Sequence, residues 1–258
     1  MSPGVPYAPT NRARMRNIKL TIQYDGTNYS GWQFQKNARS IQAVIEERIR
    51  RITGKSTTLT ASGRTDAGVH AAGQVANFKT NSQIRIENLQ KALNTLLPKE
   101  IVISRIEEVE LRFDSQRHAK SKLYRYTVYN SEFVDPFIRR FASKCFYRLD
   151  VRRMRIAAGY LLGRHDFTAF RAKDSREGTA VRAIKKIKIE KESVLLYIYI
   201  EANGFLYNMA RNIVGTLIEV GRGKMEPEYV KIALLKKDRS RSGPTAPAKG
   251  LCLLRVRY

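Results

Sequence analysis

One order of elements, strand–helix–strand–strand–helix–strand, occurs twice in the 258 residues and constrains the fold more than any other feature. In the first half, the alternation of Ile18, Leu20 and Ile22 with polar residues predicts a half-buried strand. Ser40 offers an N-cap for a helix that ends near Gly54. The remaining elements of this half are strands at residues 57–62, 74–79 and 101–106 and a helix at residues 86–97.

The second half repeats this order although it shares little sequence with the first. Its predicted strands lie at residues 122–129, 181–190, 194–201 and 251–258, its helices at residues 151–162 and 205–220, and an extra helix at residues 226–237. This order is typical of the split βαβ, or ferredoxin-like, unit. We therefore predict an α+β protein with two ferredoxin-like (βαββαβ) halves, whose sheets lie side by side and leave a central cleft.

Composition changes set the predicted domain boundaries. Residues 1–16 contain three prolines and Arg12, Arg14 and Arg16, which indicates a flexible basic tail that can contact phosphates. The N-terminal half, with the candidate catalytic loop, spans residues 17–112, and the C-terminal half spans residues 113–258. The segment at residues 109–116 is the predicted linker.

The charge of the chain indicates a polyanionic partner. Lys and Arg total 48 against 23 Asp and Glu, a surplus of 25 positive charges. Such a surplus repels itself unless a polyanion offsets it, and nucleic acid is the usual polyanion. The alternative is a solvated basic surface without a specific partner. A membrane span is not expected, because the longest apolar run, residues 194–200, is far shorter than the roughly 20 residues a spanning helix needs.

Cysteine and histidine usage predicts a cytoplasmic protein without a metal. Cys145 and Cys252 lie far apart and favour reduced, structural thiols. They form no zinc-binding spacing with the three histidines. The first sixteen residues lack an apolar stretch, so no secretory signal is expected.

The segment GRTDAGVHA, residues 63–71, is the strongest local candidate for chemistry. Gly63 and Gly68 bracket Asp66 in a loop between two predicted strands, and glycine permits positive φ and close approach of a ligand. Catalytic residues tend to lie on loops that rigid strands hold in place. The alternative is a tight turn in which Asp66 is only an Asx cap.

Two other catalytic patterns are excluded. Gly54, Lys55 and Ser56 match the end of a P-loop, but Ile49 stands where that motif requires glycine. No serine lies in a nucleophile-elbow context, and no nucleophilic triad can be assembled from the three histidines.

Six segments together resemble the TruA-type tRNA pseudouridine synthases, in the order in which that family has them. They extend over nearly the whole chain beyond the predicted tail, which makes the combination far more specific than any single segment. They are YDGTNYSGWQ (24–33), GRTDAGVHA (63–71), KLYRY (122–126), HDFTAFR (165–171), NGFLYNMARN (203–212) and GPTAP (243–247) with Gly250 and Leu251.

The resemblance implies roles for individual residues. Asp66 matches the essential aspartate, Tyr124 the tyrosine that stacks on the target uracil, and Arg211 the basic partner of the aspartate. Arg64 matches the arginine that occupies the space left by the flipped base, and Leu251 an apolar residue of the uracil pocket. Without the resemblance, Tyr124 could equally be a core residue and Arg211 part of a solvated helix face.

The implied reaction converts uridine to pseudouridine in place. The N1–C1′ bond breaks, the uracil turns and C5 joins C1′, so no second substrate and no cofactor are expected. The carboxylate could add at C1′ or C6 or remove a proton, and the sequence leaves these routes open. Unstacking the target base costs a few kcal/mol, of which stacking on an aromatic ring recovers roughly 1–3 kcal/mol.

The resemblance also implies partners. The expected substrate is the anticodon stem-loop of tRNA, just 3′ of the anticodon, and the expected assembly is a homodimer. Arg117, Lys122 and Arg171 would hold phosphates and position the RNA without reading its sequence, although each could be plain surface charge. The alternative function is a non-catalytic RNA-binding or RNA-chaperone protein of the same fold.

Overall fold

A computed structural model describes residues 14–172 and 178–258, and their strands form one large mixed sheet. In the N-terminal half, apolar residues at alternate positions of the first strand are fully buried, whereas the helices bury one stripe each. The elements of this half are β1 (Arg16–Tyr24), α1 (Ile41–Thr53), β2 (Thr60–Ala61), β3 (His70–Thr80), α2 (Ile86–Leu96) and β4 (Ile101–Val109).

The C-terminal half begins with a strand that pairs with both the last strand and a long hairpin. Its elements are β5 (Ser121–Tyr129), β6 (Ser143–Lys144), α3 (Val151–Gly159), β7 (Gly163–Asp166), β8 (Val181–Glu192), β9 (Leu195–Ala202), α4 (Met209–Gly221), α5 (Tyr229–Lys236) and β10 (Leu251–Arg257). Short 3-10 turns at Thr168–Phe170, Arg239–Arg241 and Ala248–Gly250 connect some of them.

The order of strands joins the two halves directly. Along the sheet it runs β4-β1-β3-β10-β5-β9-β8-β7, with β2 paired to β3 and β6 paired to β5. The halves meet where β3 and β10 pair in parallel, with Cys252 opposite His70. Because β3 follows the 63–69 loop and β10 begins at Leu251, this pairing brings the loop beside the C-terminal half. The α+β class is therefore confirmed.

Helix α1 shows how the sequence specifies its local structure. The Ser40 hydroxyl accepts a hydrogen bond from the Ala43 amide at 3.3 Å, and Gly54 ends the helix at φ 73°. Ile41, Ile45 and Ile49, spaced four residues apart, are buried on one face. The predicted cap, core stripe and end of this helix are all confirmed.

Other boundaries differ from the predictions. The strand predicted at 57–62 is ladder-paired only at Thr60–Ala61, and β3 begins at His70, four residues before the predicted start. Helix α4 begins at Met209 rather than at residue 205, because Asn208 takes a left-handed φ of 60° that interrupts a helix. The short strands β6 and β7 carry no periodic signal and were not predicted.

The predicted basic tail lies largely outside the described residues, since the description begins at Arg14. Arg16 is the first residue of β1, so the predicted tail is one residue too long. Its guanidinium donates to Glu108 at 2.8 Å and to the Ile84 carbonyl at 2.8 Å. Within the ranges 14–172 and 178–258, no helix has the length and apolar character needed to cross a bilayer.

Candidate active site

The loop that carries Asp66 connects β2 to β3 and is held at its start by a buried amide. Gln74 accepts a hydrogen bond from the Ser62 hydroxyl at 2.7 Å and donates to the Gly63 carbonyl at 2.9 Å. The Val69 amide then donates to the Asp66 carbonyl at 3.1 Å, which closes a turn. These bonds fix the backbone on both sides of Asp66, so the carboxylate is presented from a rigid support.

The motif at residues 24–33 packs behind this loop. The Trp32 amide donates to the Thr65 carbonyl at 3.0 Å, and the Tyr24 hydroxyl lies 2.8 Å from the Thr65 hydroxyl. Gly31 has φ +89°, and a Cβ there would lie 2.6 Å from the Thr65 carbonyl oxygen. Only glycine therefore allows this approach. The position of Asp66 thus depends on a motif more than thirty residues earlier in the chain.

Arg211 reaches the same loop from α4. Its Nη1 donates to Asp66 Oδ2 at 3.0 Å and to Asn208 Oδ1 at 2.9 Å, and its Nε donates to the Ala246 carbonyl at 2.7 Å. The side chains of Arg211 and Asp66 are 17% and 20% exposed. Three fixed acceptors set the plane of the guanidinium, which a lysine could not reproduce.

Three further residues hold Arg211 and the segment it contacts. The amide oxygen of buried Asn212 accepts from the Thr245 hydroxyl at 2.6 Å and from Arg239 at 3.1 Å. Arg239 also donates to the Gly243 carbonyl at 2.9 Å, and burial lowers the pKa of its guanidinium. Asn208, Asn212 and Arg239 were not predicted to have roles. The first two lie in the 203–212 motif, but their spacing alone does not show what they contact.

Tyr124 lies across the cleft on β5. Its ring is largely buried and meets the ring of Phe205 edge-on, with centroids 4.9 Å apart. Burial raises the pKa of the Tyr124 phenol, and the nearby Tyr24 and Asp66 raise it further. The group is therefore a neutral ring. Leu251, the first residue of β10, adds a buried apolar contact to the cleft.

The cleft measures about 1290 Å³ and is lined by both halves of the molecule. An aromatic ring, an apolar side chain and an Asp–Arg pair line one continuous space there. Six of the predicted site residues line it: Arg64, Asp66, Lys122, Tyr124, Arg211 and Leu251.

Two predicted phosphate contacts do not line this cleft in the part of the chain that the structure describes. Arg117 is exposed beside Asp114, although its neighbour Gln116 is a cleft residue. Arg171 follows the 3-10 turn at Thr168–Phe170. The amide of Ala172, the neighbour of Arg171, donates to the carbonyl of the cleft residue Tyr207 at 3.0 Å.

This arrangement defines a class of protein. Asp66 Oδ2 is bound by Arg211, whereas Oδ1 has no hydrogen-bond partner among the described residues. Such a carboxylate can act as a nucleophile or a base on a flat ring held by Tyr124. No group of three potential metal-ligating side chains was found in the same described ranges. The fold and cleft therefore define the class of basic α+β proteins whose cleft presents a carboxylate, an arginine and an aromatic ring together.

Comparison with known proteins identifies the family within this class. The model of the family described as tRNA pseudouridine synthase matches residues 20–116 and 157–258. The chain is 48% identical over 244 residues to tRNA pseudouridine synthase A of Acetivibrio thermocellus and 46% identical over 244 residues to that of Thermoanaerobacter sp. strain X514. Each alignment covers 95% of this chain and 100% of the relative. The chain belongs to the tRNA pseudouridine synthase family.

Proposed function

We propose that this protein isomerises uridine to pseudouridine in the anticodon stem-loop of tRNA, just 3′ of the anticodon, with Asp66 as the catalytic carboxylate. The observation that carries the proposal is the position of Asp66, held by Arg211 and facing the Tyr124 ring within one cleft. Membership of the tRNA pseudouridine synthase family and the surplus of 25 positive charges support a tRNA substrate.

The geometry suggests how the target base is held. The uracil leaves its stack, at a cost of a few kcal/mol, and stacks on Tyr124, which returns roughly 1–3 kcal/mol. Leu251 closes the apolar side of the pocket. Arg64 is exposed on the 63–69 loop and lines the cleft, so its guanidinium is free to fill the space that the base leaves.

The chemistry then requires one ionised carboxylate. Asp66 either adds to C1′ or C6 of the nucleotide or removes a proton, and each route ends with C5 joined to C1′ and the C5 proton released. Arg211 places a positive charge 3.0 Å from Oδ2 of Asp66, which offsets the charge of the carboxylate inside the cleft. Arg117, Lys122 and Arg171 contact phosphates.

The proposal extends to assembly and architecture. We propose a homodimer that works in the cytoplasm, which the free thiols Cys145 and Cys252 favour. We also propose that each half is a ferredoxin-like unit. The strand orders β4-β1-β3-β2 and β10-β5-β9-β8 support this, because both follow the same pattern of strand positions.

The test is tritium release from tRNA that carries C5-tritiated uridine, without added metal or nucleotide. The wild-type protein should release tritium as C5 is substituted, and Asp66→Asn should release none while it still binds the tRNA. Release by Asp66→Asn at the wild-type rate would refute the role of Asp66. Tight tRNA binding by the wild type without any release would favour the alternative, a non-catalytic RNA-binding protein.

A further inference from the structure

The ammonium group of Lys122, which lines the cleft, has no carboxylate partner among the described residues. Lys122 lies on β5 two positions before Tyr124, so both side chains point to the same face of the sheet, about 6.6 Å apart along the strand. It is partly buried and lines the same cleft as Asp66. A partly buried ammonium without a counter-ion is unfavourable, because burial removes part of its hydration.

A second cation makes this position more unfavourable still. Burial lowers the pKa of Lys122, and the nearby charge of Arg182 lowers it further. Arg182 also lines the cleft, and its Nη1 donates to the carbonyls of Thr179 at 2.7 Å and Val181 at 2.8 Å. The Arg182 charge adds repulsion to the lost hydration of the Lys122 ammonium, and an anion bound beside Lys122 would relieve both.

Two glycines, which have no side chain, leave room for the charged groups of Lys122 and Arg182. A Cβ at Gly63 would lie 3.0 Å from the Lys122 Nζ, and one at Gly204 would lie 3.4 Å from the Arg182 Nε. Both glycines line the cleft. Gly63 also belongs to the loop of Asp66, so the Lys122 ammonium lies against the loop of the candidate catalytic residue.

We propose that Lys122 and Arg182 form a binding site for one backbone phosphate, that of a phosphodiester adjacent to the uridine held against Tyr124. This inference rests on the proposed function and adds a specific anion position to it. Binding this phosphate would fix the ribose of the target next to Asp66, and it would do so for any sequence, since a phosphate contact carries no base information.

The first experiment measures how tRNA binding depends on salt in an Asp66→Asn background, where no turnover takes place. Adding Lys122→Gln should weaken binding about fivefold to tenfold and lower the slope of log Kd against log salt by roughly 0.7–0.9, the change expected for one phosphate contact. Lys79→Gln, which removes an exposed strand lysine outside the cleft, is the matched control and should leave the slope unchanged. Thermal unfolding of each variant excludes misfolding.

The second experiment locates the phosphate. Anticodon stem-loop RNAs carry a single uncharged methylphosphonate linkage, either 5′ or 3′ of the target uridine. One of the two should weaken binding to the Asp66→Asn protein about fivefold to tenfold, and the same RNA should bind the Lys122→Gln double variant without a further loss. An unchanged salt slope, an equal slope change in Lys79→Gln, or full sensitivity to both linkages in the double variant would overturn the proposal. Absence of tritium release by the wild type would refute the proposed function while leaving these binding results interpretable.

Discussion

Two carboxylates, Asp66 within the 63–69 loop and Asp25 beside His70, are almost equally accessible. Their side chains are 20% and 18% exposed, and each faces an arginine, Arg211 at 3.0 Å and Arg140 at 3.8 Å. Exposure and charge pairing alone would give both residues the same chance of a catalytic role.

Their hydrogen bonds separate them. Asp25 Oδ1 accepts from the amide of Thr27 at 2.9 Å and from its hydroxyl at 2.5 Å, and it lies 3.2 Å from Nδ1 of His70. Burial raises the pKa of Asp25, but the Thr27 hydrogen bonds and the Arg140 charge outweigh it, so the net pKa is lowered. Among the described residues, Asp66 accepts a side-chain hydrogen bond from Arg211 alone. Asp25 holds the turn at Thr27 and does not line the cleft in the described ranges, whereas Asp66 lines it together with the Tyr124 ring and is therefore available for chemistry.

Removal of each charge should give the largest contrast. Asp66→Asn should lower the rate of tritium release by at least about a thousandfold, because an amide is neither a nucleophile nor a base. Asp25→Asn should stay within about tenfold of the wild-type rate but lose about 1–3 kcal/mol of unfolding free energy, because it weakens charge-assisted hydrogen bonds. The measurements are single-turnover release and urea unfolding. The comparison fails if Asp25→Asn loses activity as completely as Asp66→Asn while it remains folded.

Substitution of Arg211 should lower the rate more than substitution of Arg140, in line with the contrast between Asp66 and Asp25. Arg211→Gln breaks a largely buried pair, which costs about 2–4 kcal/mol and corresponds to a roughly 30- to 1000-fold lower rate. The Arg140 side chain is 56% exposed, and its ion pair is therefore worth about 0–1 kcal/mol, so Arg140→Gln should change the rate less than about fivefold. Arg211→Lys is the informative intermediate, because it keeps the charge but loses the fork that binds Asn208 and Ala246. Wild-type activity in Arg211→Lys would show that charge alone is sufficient.

Substitutions at Tyr124 test the role of the aromatic ring that lines the cleft together with Asp66. Tyr124→Leu should lower kcat/KM roughly 5- to 150-fold through the loss of base stacking. Tyr124→Phe should remain close to wild type, because the phenol has no hydrogen-bond partner in the described ranges 14–172 and 178–258. Equal losses in both variants would mean that the hydroxyl contributes and that Tyr124 does more than stack.

A smaller effect, on how the free energy of unfolding depends on pH, is expected from His70, which lies beside Asp25. His70 accepts from the Gly26 amide at 3.0 Å through Nδ1, and its Nε2 lies 3.0 Å from the Arg140 carbonyl. Burial lowers the pKa of His70 below its ordinary value of 6.5, and the Asp25 charge offsets only part of this. The unfolded chain therefore takes up this proton first as the pH falls below 6.5.

The stability contributed by neutral His70 is consequently present above the ordinary pKa and is lost as the pH falls towards the lower, folded-state pKa. Urea unfolding should give a smaller free energy at about pH 5 than at neutral pH. His70→Gln, which keeps an acceptor and a donor, should reduce that difference. A pH difference that is unchanged in His70→Gln would assign the effect to other groups, of which Asp25 and Arg140 are the nearest charged ones.

Local features were predictable because their causes are local. Ser40 and Gly54 bound α1 as expected, since capping and positive φ depend on a few adjacent residues. The later start of α4 was missed, because Leu206 continues the apolar pattern of the helix, whereas Asn208 adopts its φ of 60° in the folded cleft. The motifs pointed to Asp66 and Arg211, but not to the supports Asn212 and Arg239, whose contacts connect separate segments.

The sequence by itself determined the order of elements, the surplus of positive charge and a short set of candidate residues, because periodicity, capping and composition act over a few residues. Only the tertiary structure decided that β3 and β10 pair in parallel, which brings Arg211 to Asp66 across 145 positions of the chain. It also decided which of two similar carboxylates lines the cleft. Such contacts depend on how distant segments pack, and no local pattern encodes that packing.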